Sequence, residues 1–283
     1  HLKGIVFFFF FLIIIEVLRI NINRGGIFVK KKFQIVCLCM FVFALLVAGC
    51  GGSSAKKELI VGTEPAFAPF EFQKENSKDF VGFDIDLIQA IAKQMGYEKC
   101  TIQGMGFDAL IPALDAKNID VAIAGMTITD ERAKKVNFSK PYYKSGLAIV
   151  VNKDNNTIND VADLKGKRIA VQIGTTGAME AEKIEGAKIT SFNTNGEACL
   201  ELKNKAVDAV IGDLPVEAYF LQQGGKEFAK IVGKTLSSED YGIAVAKSNT
   251  ALAKDVDKAL DTLKQNGEYD KLYKKWFGEL PKK

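Results

Sequence analysis

The 283-residue chain holds a single histidine, His1, at its first position. Without an internal imidazole there can be no Ser-His-Asp triad, and a histidine-based metal site is not expected. Cysteine is sparse as well. Of the five present, Cys37, Cys39 and Cys50 fall in or at the end of an apolar N-terminal stretch, and no two cysteines stand in a CxxC spacing. Cys100 and Cys199 are left in the body, where buried free thiols are expected rather than a disulfide or a metal pair. Charge of one sign is also scarce: the net charge is +4, with lysines scattered along the chain. A nucleic-acid surface would need a clustered basic face or interleaved aromatics, so none is expected. No cofactor is expected either.

The apolar residues that are present concentrate near the N-terminus. Val6–Ile15 is a Phe/Ile run too short to cross a bilayer, which takes ~20 residues. A complete signal-peptide pattern follows it. Lys30-Lys31-Lys32 supplies the charged start, Phe33–Leu46 the apolar core, and Val47-Ala48-Gly49-Cys50 a small-residue processing site. Translation is therefore expected to begin at Val29 from a GTG codon, with residues 1–28 as translated upstream leader and 29–49 as signal peptide. Arg24-Gly25-Gly26 can be encoded by a purine-rich run of ribosome-binding character, which fits that start. Residues 50–57, rich in Gly and Ser, read as a flexible tether.

From Glu58 the chain alternates strand and helix patterns. Strands are expected at Leu59–Val61, Ile119–Ala124, Gly146–Val151, Arg168–Gln172, Val207–Ile211 and Tyr241–Ala246. Helices are expected at Ile85–Met95, with Asp84 as N-cap and Gly96 as stop, and at Phe107–Ala116, with Pro112 in the first turn. Further helices are expected at Asp130–Lys135, Thr176–Ile184, Gly196–Lys205, Leu214–Gln222, Leu252–Gln265 and Tyr269–Phe277. Strands that alternate with helices point to α/β architecture with mostly parallel sheets. The rhythm restarts near residue 145, after which a polar linker covers Lys153–Asp163. Two lobes are expected rather than one long sheet.

Three strand ends carry chemistry suited to a small charged ligand, since ligands in open α/β sheets sit outside the carboxyl ends of the strands. In Gly125-Met126-Thr127-Ile128-Thr129-Asp130-Glu131-Arg132, Thr127 offers an N–H and a hydroxyl, and Arg132 a planar fork matched to a carboxylate. Gln172-Ile173-Gly174-Thr175-Thr176-Gly177 leaves a strand and opens a helix, so backbone N–H groups could face an anion there. Val210-Ile211-Gly212-Asp213 sets a carboxylate just past an apolar strand, as an ammonium partner or as a cap for the next helix. An ordinary turn remains open at each of the three. Phe67 and Phe107 offer apolar walls, whereas Phe70 is assigned to the core. Together these groups would pair both charges of an α-amino acid, as a desolvated cleft requires.

Four stretches then resemble one family. They are Gly62–Phe72, Val81–Leu87, Ala124–Arg132 and Tyr273–Gly278, and the chain is similar to it from about Glu58 to the C-terminus. It is the polar amino-acid-binding proteins of ABC importers, of the type 2 periplasmic-binding-protein fold, with the glutamine-binding proteins most similar. The resemblance implies a two-lobed clamp with two hinge strands, near Tyr142–Gly146 and Ser237–Tyr241. One lobe would hold 58–142 and 241–283, the other 143–240. It implies Arg132, Thr127 and the Thr176 N–H on the α-carboxylate, and Asp213 with the Gly125 carbonyl on the α-ammonium. Phe67 and Phe107 would sandwich the side chain, and Glu64 and Gln172 would meet its polar end.

Three positions depart from similar glutamine binders, which carry aspartate at Glu64, lysine at Gln172 and histidine at Gly212. Glutamine is the first choice of ligand, and arginine or lysine the alternative, because losing a lysine while keeping an acid also suits a cation. Leu46–Cys50 resembles a bacterial lipobox, which implies that Cys50 is lipidated. The resemblance therefore implies a monomeric lipoprotein on the extracytoplasmic face of the cell membrane. It would deliver a free polar amino acid to an ABC permease with a cytoplasmic ATPase, and would not be an enzyme. The start at Val29 is checked by mass spectrometry of tryptic peptides from cells: none from Ile5–Arg24 is expected, and one would refute it.

Overall fold

The structure, a computed structural model, describes residues 56–280, so the expectations for the leader, the signal peptide, Cys50 and most of the tether lie outside the described residues. The strands of the first half are β1 (Lys56–Thr63), β2 (Ala66–Phe67), β3 (Glu71–Gln73), β4 (Phe80–Val81), β5 (Tyr97–Gly104), β6 (Val121–Ala122), β7 (Val136–Phe138) and β8 (Tyr143–Ser145). Those of the second half are β9 (Leu147–Asn152), β10 (Arg168–Gln172), β11 (Lys188–Phe192), β12 (Ala209–Asp213), β13 (Ala229–Val232), β14 (Glu239–Tyr241) and β15 (Ala244–Ala246).

They form two five-stranded sheets of one plan. The first runs β5-β1-β6-β15-β7 and the second β11-β10-β12-β9-β13. In each, three parallel strands lie in the order second, first, third along the chain, and an antiparallel strand joins beside the third. Helix Phe83–Gln94 links β1 to β5, and Leu110–Asp115 links β5 to β6. Helices Thr176–Ala181 and Asn195–Lys203 make the same crossovers in the second sheet. Because β1 and β10 each have a neighbour on either side, the chain reverses direction at their carboxyl ends and leaves a crevice there. Both crevices contribute to the site described below.

The lobes are joined by a short antiparallel ribbon. β8 pairs with β14 through Glu239↔Ser145, Asp240↔Lys144 and Tyr241↔Tyr143. A ring cluster packs beside it: Phe70 is fully buried and lies edge-on to Tyr143 and Tyr241, with centroids 4.8 and 5.3 Å away. Phe70 is thus core, as its sequence context suggests.

Two local expectations need correction. The helix expected to start at Asp84 has Gly82 as its cap and no side-chain capping bond. Asp84 instead turns inward, fully buried, and accepts from the Gly125 N–H at 3.0 Å and the Tyr142 hydroxyl at 2.6 Å. Gly82 has φ +137°, and a Cβ there would sit 1.9 Å from the Phe70 carbonyl oxygen, so the position admits only glycine. The expected helix Phe107–Ala116 is a 3₁₀ turn, Phe107–Ala109, followed by an α-helix at Leu110–Asp115. Pro112 falls in its first turn, where the missing N–H costs nothing.

Candidate functional site

The loop after β6 is shaped by Gly125 and closed by Thr129. Gly125 has φ +52°, and a Cβ there would approach a Phe67 ring carbon to 2.6 Å. The backbone therefore passes directly over that ring. Thr129 Oγ1 accepts the Arg132 N–H at 3.2 Å and starts helix Asp130–Lys135, which fixes Arg132 in its first turn. The guanidinium then turns back into the interior. It donates to the Thr127 carbonyl at 2.7 Å and, across the cleft, to the Gly174 carbonyl at 2.9 Å. Its carbon lies 5.2 Å from the Phe107 ring centroid.

On the facing lobe, Thr175 Oγ1 accepts the Ala178 N–H at 3.1 Å and donates to the Gln172 carbonyl at 2.8 Å, which ties the turn after β10. Asp213 ends β12 at the N-cap position of helix Leu214–Gln222, but its side chain makes no capping bond. It accepts instead from the Tyr241 hydroxyl, which itself accepts from Ser145 Oγ at 2.9 Å. The capping alternative for Asp213 is thereby set aside.

These groups surround a small cavity between the lobes. Phe67, Phe107, Gly125, Thr127 and Arg132 line it from one side, and Gln172, Thr175, Thr176 and Asp213 from the other. Every residue proposed from the sequence is on that wall except Glu64. Glu64 stands one layer back, buried and hydrogen-bonded to the Gln172 side chain, with Oε2 unpartnered. Gln172 in turn donates to the Asn193 carbonyl at 3.0 Å.

The electrostatics of the cavity are lopsided. Arg132 is 5 % exposed and Asp213 5 %, yet among the described residues neither closes an ion pair. Burial pushes Asp213 up to about 7, with the charges of Glu239 and Glu217 adding to the rise and the Tyr241 hydrogen bond and Arg132 opposing it. Burial likewise raises Glu64 to about 7 and draws Arg132 downward. Behind the Gly125 loop, burial lifts Asp84 to about 6. Burial and the neighbouring Asp84 hold fully buried Glu71 well above the carboxylate range. Neither Glu71 oxygen nor Asp84 Oδ1 meets a hydrogen-bond donor among the described residues.

Sequence reasoning missed Thr175, Tyr241 and, most consequentially, Glu239. Glu239 is 7 % exposed and accepts from Thr127 Oγ1 at 2.7 Å and Thr176 Oγ1 at 2.9 Å. It sits in the polar run Ser237-Ser238-Glu239-Asp240, which reads as surface. Strand alternation extended back from Tyr241 would have placed Glu239 on the same face as that tyrosine.

A family model for bacterial extracellular solute-binding proteins, family 3, matches residues 59–279. The arginine-binding extracellular protein ArtP of Bacillus subtilis (strain 168) is 36% identical over 256 residues, covering 88% of this chain and 98% of that protein. Among solved structures, an ancestral arginine-binding protein bound to arginine is 48% identical with a TM-score of 0.76, covering 79% of this chain and all of that one. An ancestral arginine-binding protein bound to glutamine is also 48% identical, with a TM-score of 0.74 over 79% of this chain and 99% of that one.

The raised carboxyls fix a pH response. Glu64, Asp213 and Glu217 at about 7 and Asp84 at about 6 hold protons in the folded state that the unfolded chain has already released. The folded state binds more protons through that window, so stability must fall as pH rises. Scanning calorimetry of the ligand-stripped protein is expected to show Tm falling between about pH 5 and about pH 8, with Asp213→Asn flattening part of the slope. A flat or rising Tm would refute the account of these carboxyls as buried without cationic partners.

Proposed function

Because this chain belongs to family 3 of the bacterial extracellular solute-binding proteins, we propose that it captures a free cationic amino acid, arginine foremost, outside the cytoplasm for delivery to an ABC permease. The observation that carries this reading is the pair of buried, opposite and mutually unpaired charges on facing lobes, Arg132 and Asp213. A zwitterion satisfies both at once. Its α-carboxylate takes the free edges of the Arg132 guanidinium, joined by the Thr127 and Thr176 N–H groups. Its α-ammonium takes Asp213 and the Gly125 carbonyl. The Phe67 and Phe107 rings then flank the side chain.

A cationic side chain is favoured over an amide by the count of acids. Glu64, Asp213 and Glu239 are all buried around the cavity, against one buried cation, Arg132. A neutral zwitterion leaves that imbalance standing, whereas a guanidinium reduces it at the end of the cavity behind which Glu64 Oε2 stands unpartnered. The order of preference inferred from sequence, glutamine before arginine, is therefore reversed. Glutamine stays as the second reading, because its amide can pair with Glu64 and Gln172.

In the mechanism, residues 58–142 with 241–283 form one jaw and 143–240 the other, with the ribbon of β8 and β14 as the hinge at their boundary. Ligand binding energy stabilises the closed state because each jaw supplies only part of the site. Closure also expels water from between the charges, which strengthens each pairing. Cys50, lipidated, would tether the receptor at the membrane beside its permease, as the lipobox-like Leu46–Cys50 suggests. No turnover of the ligand is part of this reading.

Isothermal titration of protein unfolded and refolded to strip carried-over ligand is expected to show arginine binding more tightly than glutamine. Arg132→Ala and Asp213→Ala should each weaken binding by on the order of 2–5 kcal/mol, or roughly thirty- to several-thousand-fold. Glu64→Gln should cost arginine about tenfold or more and leave glutamine nearly unchanged. Near-native affinity in either of the first two variants would overturn the site. Tight glutamine binding with none for arginine would restore the sequence-based order.

A further inference from the structure

Strand β14 carries two buried side chains, Glu239 and Tyr241, with Asp240 exposed between them. Period-two alternation puts the buried pair on one face, and that face looks into the cleft. The backbone of β14 and the residues just after it are knitted to the loop after β6. The Ile128 N–H donates to the Asp240 carbonyl at 2.8 Å, the Gly242 N–H to the Met126 carbonyl at 3.0 Å, and Thr127 bridges Tyr241. These bonds tie β14, which lies at the boundary of the two jaws, to the one that holds Thr127 and Arg132.

This placement separates the bonds of Glu239 into two kinds. The contact from Thr127 Oγ1 at 2.7 Å stays within that jaw. The contact from Ser237 Oγ at 3.0 Å to the other carboxylate oxygen stays within the hinge, where Ser237 is itself held by the Leu147 N–H at 3.2 Å. The contact from Thr176 Oγ1 at 2.9 Å crosses the cleft. A hydroxyl has one proton to give, and both threonines give theirs to the same oxygen, Oε2. Neither hydroxyl then has a proton left for a ligand carboxylate. Contact with the ligand carboxylate therefore falls to the Thr127 and Thr176 N–H groups, and their hydroxyl oxygens are left as acceptors.

We propose that Glu239 is a closure latch, a positioning residue that binds Thr176 across the cleft and sets the balance between open and closed jaws before any ligand arrives. Opening the cleft must break Glu239–Thr176, whereas Glu239–Thr127 and Glu239–Ser237 survive it. The latch is made entirely of the chain's own groups. It therefore raises the share of binding-competent molecules, and apparent affinity scales with that share. The inference rests on the reading of the cleft as an amino-acid site, and adds a residue that touches no part of the ligand.

The test compares wild type, Glu239→Gln, Glu239→Ala and Thr176→Val, the last reaching the same bond from the opposite jaw without loss of volume. Small-angle X-ray scattering of the stripped proteins is expected to give a larger radius of gyration for Glu239→Ala and Thr176→Val than for wild type. Saturating arginine should return each to the wild-type bound value. Stopped-flow measurement should show arginine affinity about tenfold weaker in each, mostly through faster dissociation, with Glu239→Gln between the two limits. The double variant Glu239→Ala/Thr176→Val should lose no more than the larger single effect, which a merely structural role would not produce. Unchanged radius and dissociation rate in both single variants, while Arg132→Ala still abolishes binding, would overturn the latch alone. Normal arginine binding by Arg132→Ala would overturn the reading it rests on.

Discussion

A charge taken out of water must meet an opposite charge or a set of hydrogen bonds, or the group gives up its ionisation. Arg132 and Asp213 are held under that constraint on opposite sides of one cleft, each 5 % exposed. The chain only half satisfies them. Arg132 receives two carbonyls, those of Thr127 and Gly174, and Asp213 receives one tyrosine hydroxyl. Carbonyls and a phenol are dipoles, and no residue among those described neutralises either group. The remaining attraction is available to a molecule that carries both signs a few ångströms apart. The rest of the structure serves to keep these two groups apart, dry and aligned.

The hinge ribbon does much of that work. Tyr241 and Glu239 project from the same face of β14, and each reaches a residue of the lobe built on the second sheet: Tyr241 to Asp213, Glu239 to Thr176. Ser145, on the partner strand, holds the tyrosine hydroxyl. On the proposed closure, the hinge strand thus also carries side chains that bond across the cleft. Binding and closure are then one equilibrium, in which differential contacts to the two jaw positions set the outcome.

The carboxyl ends of the parallel strands were legible in the sequence, because short apolar runs ending in Gly, Thr or Asp have few other uses. Arg132, Thr127, Gln172, Thr176 and Asp213 could be singled out on that basis, with Phe67 and Phe107 as walls, and the structure sets all of them around one cavity. Strands β5 and β11 were not legible. Both are sheet edges with mostly exposed or half-exposed side chains, so neither shows an apolar run or a clean alternation. Asp84 was misread for a different reason. An acid two residues into a helix has the sequence signature of a cap, and only the tertiary fold reveals that it serves the Gly125 and Tyr142 donors. Glu239 was hidden by its neighbours, three polar residues that look solvated.

The surplus of buried acid has one more contributor, and it explains a small residue beside the ammonium site. A Cβ on Gly212 would fall 2.2 Å from Glu217 Oε1 and 2.8 Å from Asn195 Oδ1. The volume that a histidine would fill in similar glutamine binders is therefore already occupied by a carboxyl. Glu217 is fully buried, is raised by burial to about 7, and has Asn195 and Cys199 as its hydrogen-bond partners. Asp213 is raised chiefly by burial and in part by the charges of Glu239 and Glu217. At the other end of the cavity, where the resemblance to glutamine binders implies a lysine, neutral Gln172 stands beside Glu64. On the proposed reading, both features favour a positive ligand over a neutral or acidic one. Selectivity for a cation would then arise from the summed field of groups set behind the cavity wall, with direct contact refining it.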